Sequence, residues 1–143
     1  LDWHRDMVNF IVKNQDALKE LPVAYFTTQM NLTKLPETKI SGVSIFLDPK
    51  LAKSPAHPNK MSISEMKGTP ASCIGSTLEK TPLVKPVSIG FFGGELNYGK
   101  LKLLPWLFVK LVIRSAEGDF RNWEAIREWA ELIRPQFVKT NEI

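Results

Sequence analysis

The sequence predicts an α/β fold built on a parallel sheet, and three observations carry that prediction. Two short runs of β-forming apolar residues, VAYF at 23–26 and VSIGFF at 87–92, are each introduced by a proline (Pro22, Pro86), the pattern of strands buried on both faces. Amphipathic helical patterns stand near either end, at 3–21 and 123–134. The order helix, strand, long connection, strand, insert, helix is that of the second half of a doubly wound sheet.

In 3–21, Met7, Phe10, Ile11, Val12, Leu18 and Leu21 recur at helical spacing while Asp6, Lys13, Asp16 and Lys19 take the other side. Pro22 ends that helix, and 22–27 reads as a parallel strand. The aperiodic, polar stretch 28–42 lies just past its carboxyl end, where open α/β sheets place their ligands. A short helix interrupted by Pro49 is predicted over 43–51. Residues 54–85, dense in Pro, Ser, Thr, Gly and Lys, read as a loop excursion of unusual length for a compact domain. The second strand, 87–92, closes on Gly93-Gly94. Within a basic, apolar insert at 95–118, residues 101–113 are strongly apolar with Lys102 and Lys110 set among them and Arg114 just beyond; Pro105 suits the first turn of a helix. Asn122 caps a closing helix through Arg134 that carries Trp123, Ile126, Trp129, Ala130 and Ile133 on its period and stops before Pro135.

With 143 residues, 43% hydrophobic and 24% charged, the chain has the length and composition of one soluble domain. A net charge of +4 is a mild bias toward anionic partners; no nucleic-acid partner is expected. A single cysteine, Cys73, excludes an internal disulfide, and with only His4 and His57 beside it no zinc-ligand spacing arises. A reducing, cytoplasmic setting is the expectation. The longest apolar run, 103–109, is far short of the roughly 20 residues of a membrane span. The sequence opens at Leu1, without Met, in a helical pattern, so upstream sequence is expected to be missing. Two strands do not complete a parallel sheet, and the chain alone is expected to be poorly stable through its open strand edge.

Three segments, LKELPVAYFTT, VSIGFFGGELNYGKL and EGDFRNWEAIREWA, resemble flavodoxin-domain proteins that include menaquinone-dependent protoporphyrinogen oxidase. The Gly-Asp-Phe-Arg-Asn-Trp approach to the last helix is the most specific of the three. The resemblance implies a flavodoxin-like three-layer parallel sheet of which 1–143 is the C-terminal part only, with 22–27 as strand 4 and 87–92 as strand 5 of the order 2-1-3-4-5. Strands 1–3 and the phosphate-binding loop would be absent. It further implies FMN as cofactor, with Thr27, Thr28, Gln29, Met30 and Asn31 forming the remaining flavin loop, and electron transfer from a reduced substrate to a quinone. A flavodoxin-type electron carrier and a non-flavin interaction module are the alternatives. The insert LKLLPWLFVKLVIR, through Lys102, Trp106, Phe108, Lys110 and Arg114, has features suited to a membrane surface or a quinone-bearing partner. Its composition fits a helix packed on the sheet equally well.

Trp123 and Trp129 read as packing residues rather than a cofactor stack, and Asp119 as the acceptor of a local turn. His4 and His57 have no nucleophile tied to them by spacing, and nothing around Cys73 would lower its pKa. No catalytic triad is visible; in a flavoprotein the cofactor carries the redox step.

Overall fold

The computed structural model describes residues 4–100, 107 and 117–138. Its elements in chain order are α1 (Arg5–Lys13), α2 (Gln15–Leu18), β1 (Ala24–Gln29), β2 (Leu32–Thr33), β3 (Lys39–Ile40), β4 (Val43–Leu47), β5 (Ala52–Lys53), α3 (Ile63–Lys67), α4 (Pro70–Lys80), β6 (Ser88–Gly93), β7 (Glu95–Leu96), β8 (Gly118–Asp119) and α5 (Trp123–Phe137). The main sheet has the order β1-β6-β4-β3. β6 runs parallel to β1 from Ala24↔Ser88 to Gln29↔Gly93, and parallel to β4 from Ile45↔Ile89 to Leu47↔Phe91. Flanked on both sides, β6 is buried along its whole length, as the apolar run SIGFFG requires.

Alternation along the strands divides the core into two layers. Tyr25, Ile89 and Phe91 face Ile11 of α1 and Cys73 and Ile74 of α4, with Ile45 and Leu47 packed beside them. On the opposite face Phe92, Ala24 and Phe46 meet Ala125, Trp129 and Ile133 of α5. Trp129 packs edge-on against Phe92, with centroids 5.5 Å apart, and its Nε1 donates to Ser88 Oγ at 3.0 Å. Gly90 lies under this contact: a Cβ there would run into the Phe92 and Trp129 rings. Helices thus cover both faces of a parallel-dominated sheet, the three-layer α/β architecture expected.

Several expectations are corrected. Residues 43–47 form a strand, not a helix. Val43, Ile45 and Leu47 belong to one layer and Phe46 to the other, and a two-residue turn at Ser41-Gly42, with φ of +50° and +81°, pairs β4 with β3. Both residues sit in the left-handed region, the geometry that fits a tight hairpin to the strand twist. The supposed loop excursion 54–85 contains α3 and α4. Ser62 and Glu65 close a reciprocal capping box on α3; Thr69 caps α4 with Pro70 as its first residue. The helix expected over 3–21 breaks at Asn14, whose side chain donates to the Phe10 carbonyl. Val8 and Ile11 form its buried side, leaving Met7, Phe10, Val12 and Leu21 exposed. β1 is not buried on both faces, since Phe26 is 64% exposed. Asn122 does cap the closing helix, but Pro135 falls inside it and the helix runs on to Phe137. The proline takes the ring's fixed φ and gives up one backbone donor near an end that frays anyway.

Candidate functional site

The carboxyl ends of β1, β6 and β4 open on a cavity of about 930 Å³. The end of β1 and the loop after it supply one wall through Thr28, Gln29, Met30 and Asn31. Thr27 is not part of that wall. It stands one residue deeper in the strand, where its Oγ1 accepts from Gln29 Nε2 at 3.2 Å and orients that amide. Asn31 is tied across the cavity mouth by a 3.4 Å bond from its Nδ2 to Ser64 Oγ.

A second wall is the turn after β6. Gly93 and Gly94 permit close approach: a Cβ on Gly93 would overlap the Phe120 carbonyl oxygen, and one on Gly94 would press on the Thr28 side chain. The Gly94 carbonyl accepts from Phe120 N at 3.0 Å, which brings Asp119, Phe120 and Arg121 to the rim. Arg121 is held in place there. Its guanidinium donates to both Asp119 oxygens, at 2.8 and 2.6 Å, lies 3.6 Å from Glu95 and stacks 5.2 Å above the Trp123 ring centroid. The guanidinium, and then the Arg121 backbone N–H, lower the Asp119 pKa from 3.8 to about 2, while Asp119 in turn raises that of Arg121. The expected local turn at Asp119 is present, together with this side-chain pair.

The third wall comes from the segment between the central strands. β2 and β5 pair in parallel, Leu32↔Ala52 and Thr33↔Lys53, and bring Lys50, Lys53 and Ser54 to the cavity. Glu65 reaches it from α3, where the backbone N–H groups of Ser62 and Ala56 hold its pKa below the usual carboxylate value. Glu65 and Asp119 are therefore fixed anions near neutral pH rather than groups poised to exchange a proton. Beneath these walls lies Asp48, fully buried at the end of β4. Its Oδ1 accepts from Lys50 N at 3.0 Å and Asn122 Nδ2 at 2.8 Å, and its Oδ2 from Gly93 N at 3.4 Å.

A second cavity of about 1000 Å³ lies among residues 56–65. It is open, comes from one segment only and does not reach the strand ends, so the cavity at the carboxyl edge is the candidate site. The contact residues expected in the insert, Lys102, Trp106, Phe108, Lys110 and Arg114, lie outside the described residues. His4 and His57 are exposed, and Cys73 is buried with its thiol pKa raised by desolvation. Among the described residues no cluster of His, Cys, Asp and Glu could hold a metal ion, and no helix is long and apolar enough to cross a membrane.

Lys50, Lys53, Glu65 and Glu95 are site residues that the sequence reading does not single out. The Lys50 and Lys53 wall follows from a strand, turn and second strand over 43–53, which the expectation of a helix over 43–51 concealed. Asp48 follows a strand directly, a position that places polar residues at the ligand edge of a parallel sheet.

The sequence model of the flavodoxin domain matches residues 1–122. The chain belongs to the flavodoxin-domain family. Comparison with curated proteins gives no match, and neither does comparison with solved structures. Domains of this family typically bind FMN. In this flavodoxin domain the cavity has the volume of a cofactor site, within the roughly 300–1000 Å³ usual for small molecules. The 28–31 segment offers the amide groups of Gln29 and Asn31 to this cavity, and Gly93 and Gly94 allow close backbone approach beside it. Among the described residues no glycine-rich turn leads from a strand into a helix as a phosphate cradle would.

Proposed function

We propose that this flavodoxin domain binds FMN through the ring end of the cofactor and serves an oxidoreductase, with Thr28, Gln29, Met30 and Asn31 against the isoalloxazine. The observation that carries this reading is the meeting of the loop after β1 with the Gly93-Gly94 turn at one cavity on the carboxyl edge of the sheet. FMN, when bound, supplies one- and two-electron redox chemistry. The chain's own residues bind and orient. The Gln29 amide, steadied by Thr27, and the Asn31 amide, steadied by Ser64, offer donors and acceptors to the ring edge. Met30, half exposed, offers a polarisable apolar contact to a ring face. Titration with FMN, read by quenching of flavin fluorescence, tests the proposal. Saturable binding that Gln29→Ala and Asn31→Ala weaken supports it; binding unchanged by both substitutions, or none even in a chain extended upstream, overturns it.

Within that role, the resemblance of the segment Gly118 to Trp123 to menaquinone-dependent protoporphyrinogen oxidases favours removal of hydrogen from a porphyrinogen with transfer of electrons to a quinone. Trp106 with Lys102, Phe108, Lys110 and Arg114 would then contact the quinone-bearing membrane. Porphyrinogen turnover with added menaquinone separates this reading from a flavodoxin-type carrier without an organic substrate, and liposome co-sedimentation of Trp106→Asp tests the membrane contact.

A further inference from the structure

Asp48 is a carboxylate with no exposed surface and no cation beside it among the described residues. Burying an anion is unfavourable unless donors replace its water. Here three N–H groups do so, from Lys50 N, Gly93 N and Asn122 Nδ2. All three partners are donors, so an acceptor-only group suits the position; an amide would set its own NH₂ against one of them.

The donors come from two walls of the candidate site, Lys50 from the third and Gly93 and Asn122 from the two segments that make up the second. Lys50 lies in the turn that leads into Lys53 of β5; Gly93 precedes Gly94; Asn122 follows Arg121 and caps α5 by accepting from Ala125 N at 3.4 Å. A carboxylate that served only to end β4 would need only the bond to Lys50, two residues along. The bonds to Gly93 and Asn122 join segments far apart in sequence.

We propose that Asp48 is a positioning residue of this cavity, fixing the turn after β4, the Gly93-Gly94 turn and the Arg121-Asn122 segment relative to one another so that a ligand meets a preformed site. The proposal rests on the FMN reading for the identity of the ligand but not for the three-way tie itself. Asp48→Asn puts an NH₂ group where only acceptors fit. Asp48→Asn combined with Asn122→Asp restores an amide–carboxylate bond between the two positions and keeps a good cap on α5, but leaves the new NH₂ group opposed to Lys50 N, because Asp48 Oδ1 accepts from both Lys50 N and Asn122 Nδ2. Asn122→Ser keeps the cap and removes only the donor to Asp48, which guards against a first variant that fails to fold.

The measurements are FMN affinity, thermal midpoint and amide hydrogen exchange on the full chain. Asp48→Asn is expected to weaken FMN binding at least tenfold at a temperature where circular dichroism remains that of the wild type. Asn122→Ser should weaken it severalfold, and the reversed pair should recover part, not all, of the affinity lost in Asp48→Asn. Exchange should rise selectively in 49–53, 93–96 and 119–122. Wild-type affinity in folded Asp48→Asn and Asn122→Ser would overturn the proposal, as would a reversed pair that recovers the thermal midpoint without recovering affinity. If the wild-type chain does not bind FMN, the cofactor reading fails and exchange decides: a selective rise in those three segments supports the tie, and a uniform rise across β1, β4 and β6 refutes it.

Discussion

Replacing Trp129 with Phe removes one hydrogen bond and part of one ring from the α5 side of the core, and the structure lets both losses be sized. The indole is 8% exposed, and its Nε1 bond to Ser88 Oγ is 3.0 Å long. Losing that bond costs about 1 kcal/mol. The smaller ring keeps an edge contact with Phe92 but leaves a void, bringing the expected loss for Trp129→Phe to about 2–4 kcal/mol. Ser88→Ala instead leaves a buried indole N–H without its acceptor, at about 1–3 kcal/mol. The double variant removes both partners, so its loss should fall short of the sum by about 1 kcal/mol. Urea unfolding followed by far-ultraviolet circular dichroism measures all four proteins without using the altered tryptophan as reporter. Losses that add to within about 0.3 kcal/mol would show the indole and Ser88 to be energetically independent and refute the reasoning.

Three further outcomes are expected. The pKa of Asp119, lowered from 3.8 to about 2, means that its pairing with Arg121 stabilises the native state fully above the unfolded value and is lost as pH falls through the folded one; carboxyl NMR should titrate near pH 2, and Arg121→Gln should move the midpoint up toward 3.8, whereas a wild-type midpoint already at 3.8 would dismiss the pair. Because burial raises the Cys73 thiol pKa, labelling by a disulfide reagent at pH 8 should be much slower than for free cysteine and become fast in denaturant; fast labelling of the native chain would contradict the packing of α4. Gly93→Ala, forced against the Phe120 carbonyl, should lose about 1–3 kcal/mol or more in urea unfolding, and an unchanged midpoint would mean that the β6 turn and the 119–122 segment are not in contact.

What the sequence made legible was whatever one residue type or one period specifies locally. The strands at 24–29 and 88–93 could be placed because VAYF and VSIGFF are too short and too rich in β formers for helices and follow prolines. Asn122 announced its helix because an Asn ahead of an apolar period has a single economical use. The segment between the strands was misread for a reason that is also physical. Composition dominated the reading there, yet Ser62-Ile-Ser-Glu65 carries a capping box and Thr69-Pro70 a cap followed by a first-turn proline; both are positional signals that a count of Ser, Thr and Pro erases. Nor does periodicity tell VSIFL as a strand from VSIFL as one turn of helix; the Ser41-Gly42 hairpin and the vacant flank of β6 decide that. At the site, the loop 28–31 was found from its place after a strand. Lys50 and Glu65 needed the tertiary structure, because they arrive from segments brought together across long separations.

β6 occupies the middle of the sheet but is the last of its three parallel strands to be made, and its register with β1 joins Ala24 to Ser88. β4 has β3 as a hairpin partner as soon as 39–47 is made, but β1 and β4 share no ladder with each other and are joined only once the chain has grown past Gly93 and β6 can slot between them. Nucleation must therefore close both long connections nearly together, a topology that slows folding and lengthens the interval in which Phe26, Phe46 and their neighbours lie open to other nascent chains. The sheet is thus completed at its centre, by the strand made last of the three.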